Sequence, residues 1–172
     1  GFVTAVMDYR LGMNIFDDQI AMRAVYRGLQ DGRSAVRFFK ADAAGANIYR
    51  VDPENIYLGG HSSGGFVALH NAYLDRDDLR PISTRLWSQN GYQIPDMLSL
   101  DSVGDNRSFD GRAKAVFNLA GALGFTEYIE ENSEPIVTSF HSIDDETVPY
   151  YSGQPFSNLL WLVVGSDLPE VF

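Results

Sequence analysis

Apolar and polar positions fall into blocks whose period changes along the chain. Residues 2–7 form a short apolar, partly β-branched run that closes on the polar turn Asp8-Tyr9-Arg10-Leu11-Gly12, the pattern of a buried strand ending in a loop. From Asp17 the period lengthens. Ala21, Ala24 and Val25, then Ala35, Val36 and Phe39, recur at spacings of three and four. This predicts a helix capped by Asp17 or Asp18, interrupted at Gly28 and Gly32, and ended near Gly45. Val51-Asp52-Pro53-Glu54 is a turn signal, and residues 55–59 read as a second buried strand that runs straight into the glycine-rich stretch 60–65. A helix over about 64–75 follows.

Residues 79–111 hold no clean period and are rich in Ser, Asp, Asn and Gly, which predicts a long surface excursion within one domain. Residues 113–119 and 135–140 are two further apolar runs of strand length, and the acidic segment between them is a candidate for a helical turn over 126–131. Strand alternating with helix implies a parallel sheet. The expected fold is therefore α/β, a three-layer, doubly wound, mostly parallel sheet of at least four strands, in a single domain spanning residues 1–172.

Charge narrows the choice of partner. A formal net charge of -10 repels phosphate backbones and anionic lipid, so nucleic-acid and membrane-surface roles are disfavoured and neutral or weakly charged partners fit better. The absence of cysteine removes disulfides, thiolate metal sites and cysteine nucleophiles together. The longest apolar run, residues 158–165, is far shorter than the roughly 20 residues of a membrane-crossing helix. The chain opens on a strand already under way, with neither a Met start nor a signal peptide, and this predicts a domain cut at its N-terminus.

The strongest chemical signal is Gly60-His61-Ser62-Ser63-Gly64, a G-x-S-x-G pentapeptide between an expected strand and an expected helix. A sharp strand-to-helix turn lifts the Ser62 hydroxyl above the carboxyl edge of the sheet and needs small neighbours, which Gly60 and Gly64 supply. The Ser63 N–H, at the start of the next helix, can then donate to a developing oxyanion. The simpler alternative is a glycine-rich structural or anion-binding turn.

Asp8 to Gly12, the stretch from Val51 through Gly65, then Ala113, Val116, Asn118, Leu119, Gly121, Ala122 and Leu123, and finally His141 to Tyr150, together resemble the α/β-hydrolase esterases and lipases, in particular bacterial carboxylesterase-like members. The resemblance implies a serine carboxylesterase that works through an acyl-enzyme on a small or carbohydrate-linked ester, with no metal or organic cofactor. It also implies a secreted or periplasmic bacterial setting. In such enzymes a loop of the form H-G-x-x-D-x-x-V-P supplies the triad acid. Here it reads His141-Ser142-Ile143-Asp144-Asp145-Glu146-Thr147-Val148-Pro149, which points to Asp145, with Asp144 as the alternative and Ser142 in place of the usual glycine. The order nucleophile, acid, histidine puts the base after Asp145, yet no histidine follows it. The expectation is therefore a domain cut at both ends, with the catalytic histidine beyond Phe172 and the second oxyanion donor before Gly1.

The three histidines present have plainer readings. His61 neighbours the nucleophile but leaves the turn in another direction, His70 falls on the following helix, and His141 is a hydrogen-bonded anchor of the acid loop. Their scatter makes a poor metal site. Asp8 and Arg10 are expected to hold the loop at the strand end, Phe38, Phe39 and Trp161 to fill the core or a pocket wall, and Tyr150 and Tyr151 either to do the same or to border the cleft. Two other functional classes remain open: an inactive relative used for binding, and an acyltransferase or peptidase on the same fold.

Overall fold

The computed structural model describes residues 1–130 and 134–155. Helix α1 spans Asp18–Ala44, strand β1 Tyr57–His61, and helix α2 Ser63–Tyr73. A two-stranded antiparallel ribbon, β2 (Trp87–Gln89) with β3 (Tyr92–Ile94), precedes β4 (Ala115–Leu119) and β5 (Ile136–Phe140). β1, β4 and β5 form a parallel sheet in the order β1-β4-β5, with Gly60, Asn118 and Ser139 in one row across it. The class is the expected one, α/β with a parallel sheet flanked by helices.

Residues 2–7 depart from expectation, because they make no strand and Phe2 is 90% exposed. A strand exists through its ladder, and the segment follows α1 rather than the edge of β1. Arg10 forms an ion pair with Asp31 at 2.9 Å, while Met7 and Tyr9 lie against the surface of α1 at Gly32 and Gly28. The sheet accordingly has three strands among the described residues.

α1 also differs from its prediction, since it runs unbroken through Gly28 and Gly32. Asp17 caps it, its Oδ1 accepting the Ile20 N–H at 3.0 Å, and Gly45 ends it. The two glycines are contact points, not breaks. A Cβ on Gly28 would stand 2.7 Å from Val67 Cγ2, so their absence of side chain lets α1 close on α2. This approach outweighs the helix-propensity cost of about 1 kcal/mol per glycine.

The core lies between these helices and one face of the sheet. Val36, Ala68, Ala72, Ala113 and Val116 make one cluster, and Tyr26, Leu29, Leu74, Leu100 and Tyr128 another. The 79–111 excursion is clamped to α1 by buried polar side chains: Arg33 and Arg37 both bind Asp101, and Gln30 donates to the carbonyls of Met97 and Ser99. A 3-10 turn, Asp77–Leu79, leads into it, and within it lie a second, Ile82–Thr84, and the β2/β3 ribbon. Of the expected helical segment over 126–131, residues 126–130 are described and hold a single 3-10 turn, Thr126–Tyr128; residue 131 lies outside the described residues. Phe38 and Phe39 pack edge-on with each other at the far end of α1, Phe39 also edge-on with Tyr49, and Phe38 stays exposed. Trp161 and the apolar run 158–165 lie outside the described residues.

Candidate active site

Loops leaving the carboxyl ends of β1, β4 and β5 converge at one edge of the sheet, where parallel α/β folds place their ligands. Ser62 sits between β1 and α2 with φ 52° and ψ -117°. A left-handed φ on a residue with a side chain is a strained conformation, kept only where its surroundings over-determine it. Two contacts do so here: the Ser62 N–H donates to Leu119 C=O at 2.8 Å, and its C=O accepts the Phe66 N–H at 3.0 Å as the first turn of α2 closes. The Ser62 side chain does not cap α2. The Ser63 N–H lies in the first turn, at the positive end of the helix dipole.

The two flanking glycines are not equivalent. A Cβ on Gly60 would fall 2.3 Å from the carbonyl carbon of Gly64, whereas a Cβ on Gly64 would meet nothing within 4 Å. The small-neighbour argument therefore holds for Gly60 and fails for Gly64. A second close approach was not foreseen: Gly65 and Gly121 touch backbone to backbone, so that a Cβ on Gly121 would stand 2.4 Å from Gly65 C. Tyr9 was also missed. Its hydroxyl lies 2.7 Å from Ser63 Oγ and fastens the segment before α1 to the start of α2. Both lie within stretches that resemble the esterases, but nothing in their spacing marks them.

On the acid loop, Asp145 Oδ1 accepts the N–H groups of Thr147 at 2.8 Å and Val148 at 2.9 Å. Those N–H groups, Val148's first, hold its carboxyl below the ordinary range. Its Oδ2 is 3.4 Å from His141 Nε2. Asp144 has an ordinary turn role, its N–H donating to Ser142 Oγ at 3.3 Å. His141 donates from Nε2 to Val148 C=O at 2.8 Å and so ties the two ends of the loop.

Ser62 and Ser63 open onto a cavity of about 670 Å³ walled by Met22 and Val25 of α1, Phe66 of α2, and Ile82, Phe125 and Val148. The acid loop reaches this cavity through Val148; Asp145 is not among its lining residues. Tyr150 and Tyr151 do not line it either. Tyr150 packs edge-on against His141, and Tyr151 is solvent-facing. His70 does border the cavity, but it is buried and bonded at both nitrogens, Nδ1 to Phe66 C=O at 2.8 Å and Nε2 from the Gly124 N–H at 3.3 Å. Burial pushes its pKa down to about 4, so it stays neutral. His61 is exposed, on the sheet face opposite α2. Among the described residues no group of three His, Cys, Asp or Glu could hold a metal ion, and no helix is long and apolar enough to cross a membrane.

A model of the BD-FAE family matches residues 1–160. The chain belongs to the BD-FAE family. Among solved structures, a truncated form of a carbohydrate esterase from gut microbiota superposes with a TM-score of 0.48 at 18% sequence identity, over 80% of this chain and 56% of that one. The chain thus spans little more than half the length of that protein. No curated protein sequence matches it. The matched range includes Tyr9, Ser62, Asn118 and Asp145.

Proposed function

We propose that this chain carries the nucleophile and the acid of a carbohydrate esterase, the activity for which BD-FAE, the feruloyl and acetyl xylan esterase family, is named. The observation that carries the reading is the left-handed Ser62, set between a parallel strand and a helix N-terminus at the mouth of an apolar cavity. Ser62 Oγ attacks the ester carbonyl, the Ser63 N–H stabilises the tetrahedral oxyanion, the sugar hydroxyl leaves, and water releases the acid from the acyl-enzyme. The cavity suits the acyl group, because its apolar walls reward an apolar or aromatic acid more than a charged one. Asp145 orients a histidine base. His70 and His141 are each bonded to backbone carbonyls, and His61 lies on the other face of the sheet, so the reading assigns the base to a histidine beyond residue 172.

Ser62→Ala in the full-length protein should abolish both release of acetate or ferulate from substituted xylan and labelling by a fluorophosphonate probe. Ser63→Ala removes only the hydroxyl that meets Tyr9 and keeps the N–H, so it should retain most of both activities. Equal loss at the two positions would refute the assignment.

A further inference from the structure

Directly beneath the start of α2, the row Gly60, Asn118, Ser139 crosses the three parallel strands on their helix-covered face. Asn118 is 3% exposed, and both of its N–H donors and its Oδ1 are engaged at this edge of the sheet. Its Oδ1 accepts the Gly121 N–H at 3.0 Å, and its Nδ2 donates to Ser139 Oγ at 3.2 Å and Gly121 C=O at 3.4 Å. Between Asn118 and Gly121 the chain turns through Ala120, at φ 51°, an unfavourable conformation for a residue with a side chain. The Asn118 side chain closes that bend from within and sets where Gly121 stands.

The placement of Gly121 matters because Gly65 rests on it. A Cβ on Gly65 would lie 2.5 Å from Asn118 Oδ1 and 2.9 Å from Gly121 Cα, so the first turn of α2 has no freedom toward the bend. The same bend supplies Leu119 C=O to the Ser62 N–H at 2.8 Å, and its Ala120 N–H donates to Phe140 C=O at 2.9 Å, at the point where the acid loop begins. One side chain therefore ties together the serine turn, the bend after β4 and the root of the acid loop.

We infer that Asn118 is a positioning residue that fixes the Ser62 turn and the Ser63 N–H relative to the acid loop through the Gly65–Gly121 contact. The catalytic part of this inference rests on the esterase reading. Asn118 touches no substrate, so its loss should lower turnover and leave binding alone.

Asn71 provides the comparison. It too is a buried amide bonded to backbone on both sides, from Nδ2 to Gly111 C=O at 3.0 Å and from the Ala113 N–H to Oδ1 at 2.9 Å, but it braces the segment that enters β4. In the full-length protein, Asn118→Ala and Asn71→Ala should both lower the melting temperature. Only Asn118→Ala should reduce kcat, by about 10- to 100-fold, the scale of an ångström-level misplacement. Its KM should stay within about twofold. Amide hydrogen exchange at Ser62, Ala120 and Gly121, whose N–H groups are bonded to Leu119 C=O, Phe140 C=O and Asn118 Oδ1, should rise about tenfold or more in Asn118→Ala alone. An unchanged kcat with unchanged exchange in Asn118→Ala, or equal effects in both variants, would overturn the inference. Should Asn118→Ala not fold, Ser139→Ala, which removes one of the three bonds, should still lower kcat and raise exchange at Gly121; no effect there counts against the proposal. If the unmodified protein shows no turnover, the esterase reading fails by itself, and the exchange measurements decide the positioning role.

Discussion

Gly60 and Gly64 flank Ser62 symmetrically in the sequence, and the structure predicts opposite outcomes for the same substitution at the two positions. In Gly60→Ala the new Cβ would fall 2.3, 2.4 and 2.6 Å from Gly64 C, O and Cα. Carbon atoms in contact prefer about 3.5–4.0 Å, so more than an ångström of relief must come from backbone on both sides of Ser62. Overpacking of this kind costs about 1–3 kcal/mol, and against backbone the upper part of that range applies. For a domain of this size, 1 kcal/mol corresponds to about 2–4 °C, so a cost of about 2–3 kcal/mol in Gly60→Ala should lower the melting temperature by roughly 4–12 °C. Because the shift is centred on Ser62, the proposed nucleophile, the fluorophosphonate labelling rate of the full-length protein should also fall, by up to about a hundredfold. In Gly64→Ala the Cβ enters open space within a helical turn. Removing a helical glycine there is worth up to about 1 kcal/mol in favour of folding, so this variant should melt at or above the original temperature. Thermal unfolding and labelling on the two variants side by side provide the assay. Equal damage from both, or a harmless Gly60→Ala, would show that the geometry of the turn is not as described.

Three further substitutions address the acid loop and the buried histidine. If Asp145 is the acid of the proposed esterase, Asp145→Asn in the full-length protein should cut kcat by about 10²–10⁴-fold, the loss expected when a triad histidine is held in the wrong tautomer, while Asp144→Asn should change it little; a reversed ranking moves the acid by one residue. His70, with its pKa pushed down to about 4, binds its proton more weakly folded than unfolded, where about 6.5 applies. Its contribution to stability is therefore full above about pH 6.5 and is lost as pH falls toward 4, a loss on the order of 3 kcal/mol across that window. His70→Gln should flatten this part of the curve of melting temperature against pH, and an unchanged acid limb would refute the account.

Much of this arrangement is legible in the residues because it rests on local rules. A short apolar run, Ile56-Tyr57-Leu58, followed by a glycine-flanked serine and a helical stretch leaves few alternatives to a strand-turn-helix, and the strand at Tyr57–His61 and helix at Ser63–Tyr73 follow within two residues of expectation. Failures occur where partners far along the chain decide. Residues 2–7 have the composition of a strand, but composition does not supply a ladder, and Arg10 finds Asp31 instead. Gly28 and Gly32 look like helix breaks until Val67, some forty residues away, is seen to occupy the space they leave. The excursion over 79–111 looks like loose surface because its anchors, Gln30, Arg33 and Arg37, are polar residues on α1, and a polar residue in a helical pattern is ordinarily assigned to the solvent face. Asn118 shows the same limit at the candidate site. In a strand an asparagine is unfavourable on propensity alone. Its presence there makes sense only once the bend at Ala120 and the contact between Gly65 and Gly121 show which backbone groups it must satisfy. A residue that contradicts its local pattern without weakening the fold is thus the best sequence-level pointer to a long-range constraint, and at this site it points to the geometry around the serine and not to the serine itself.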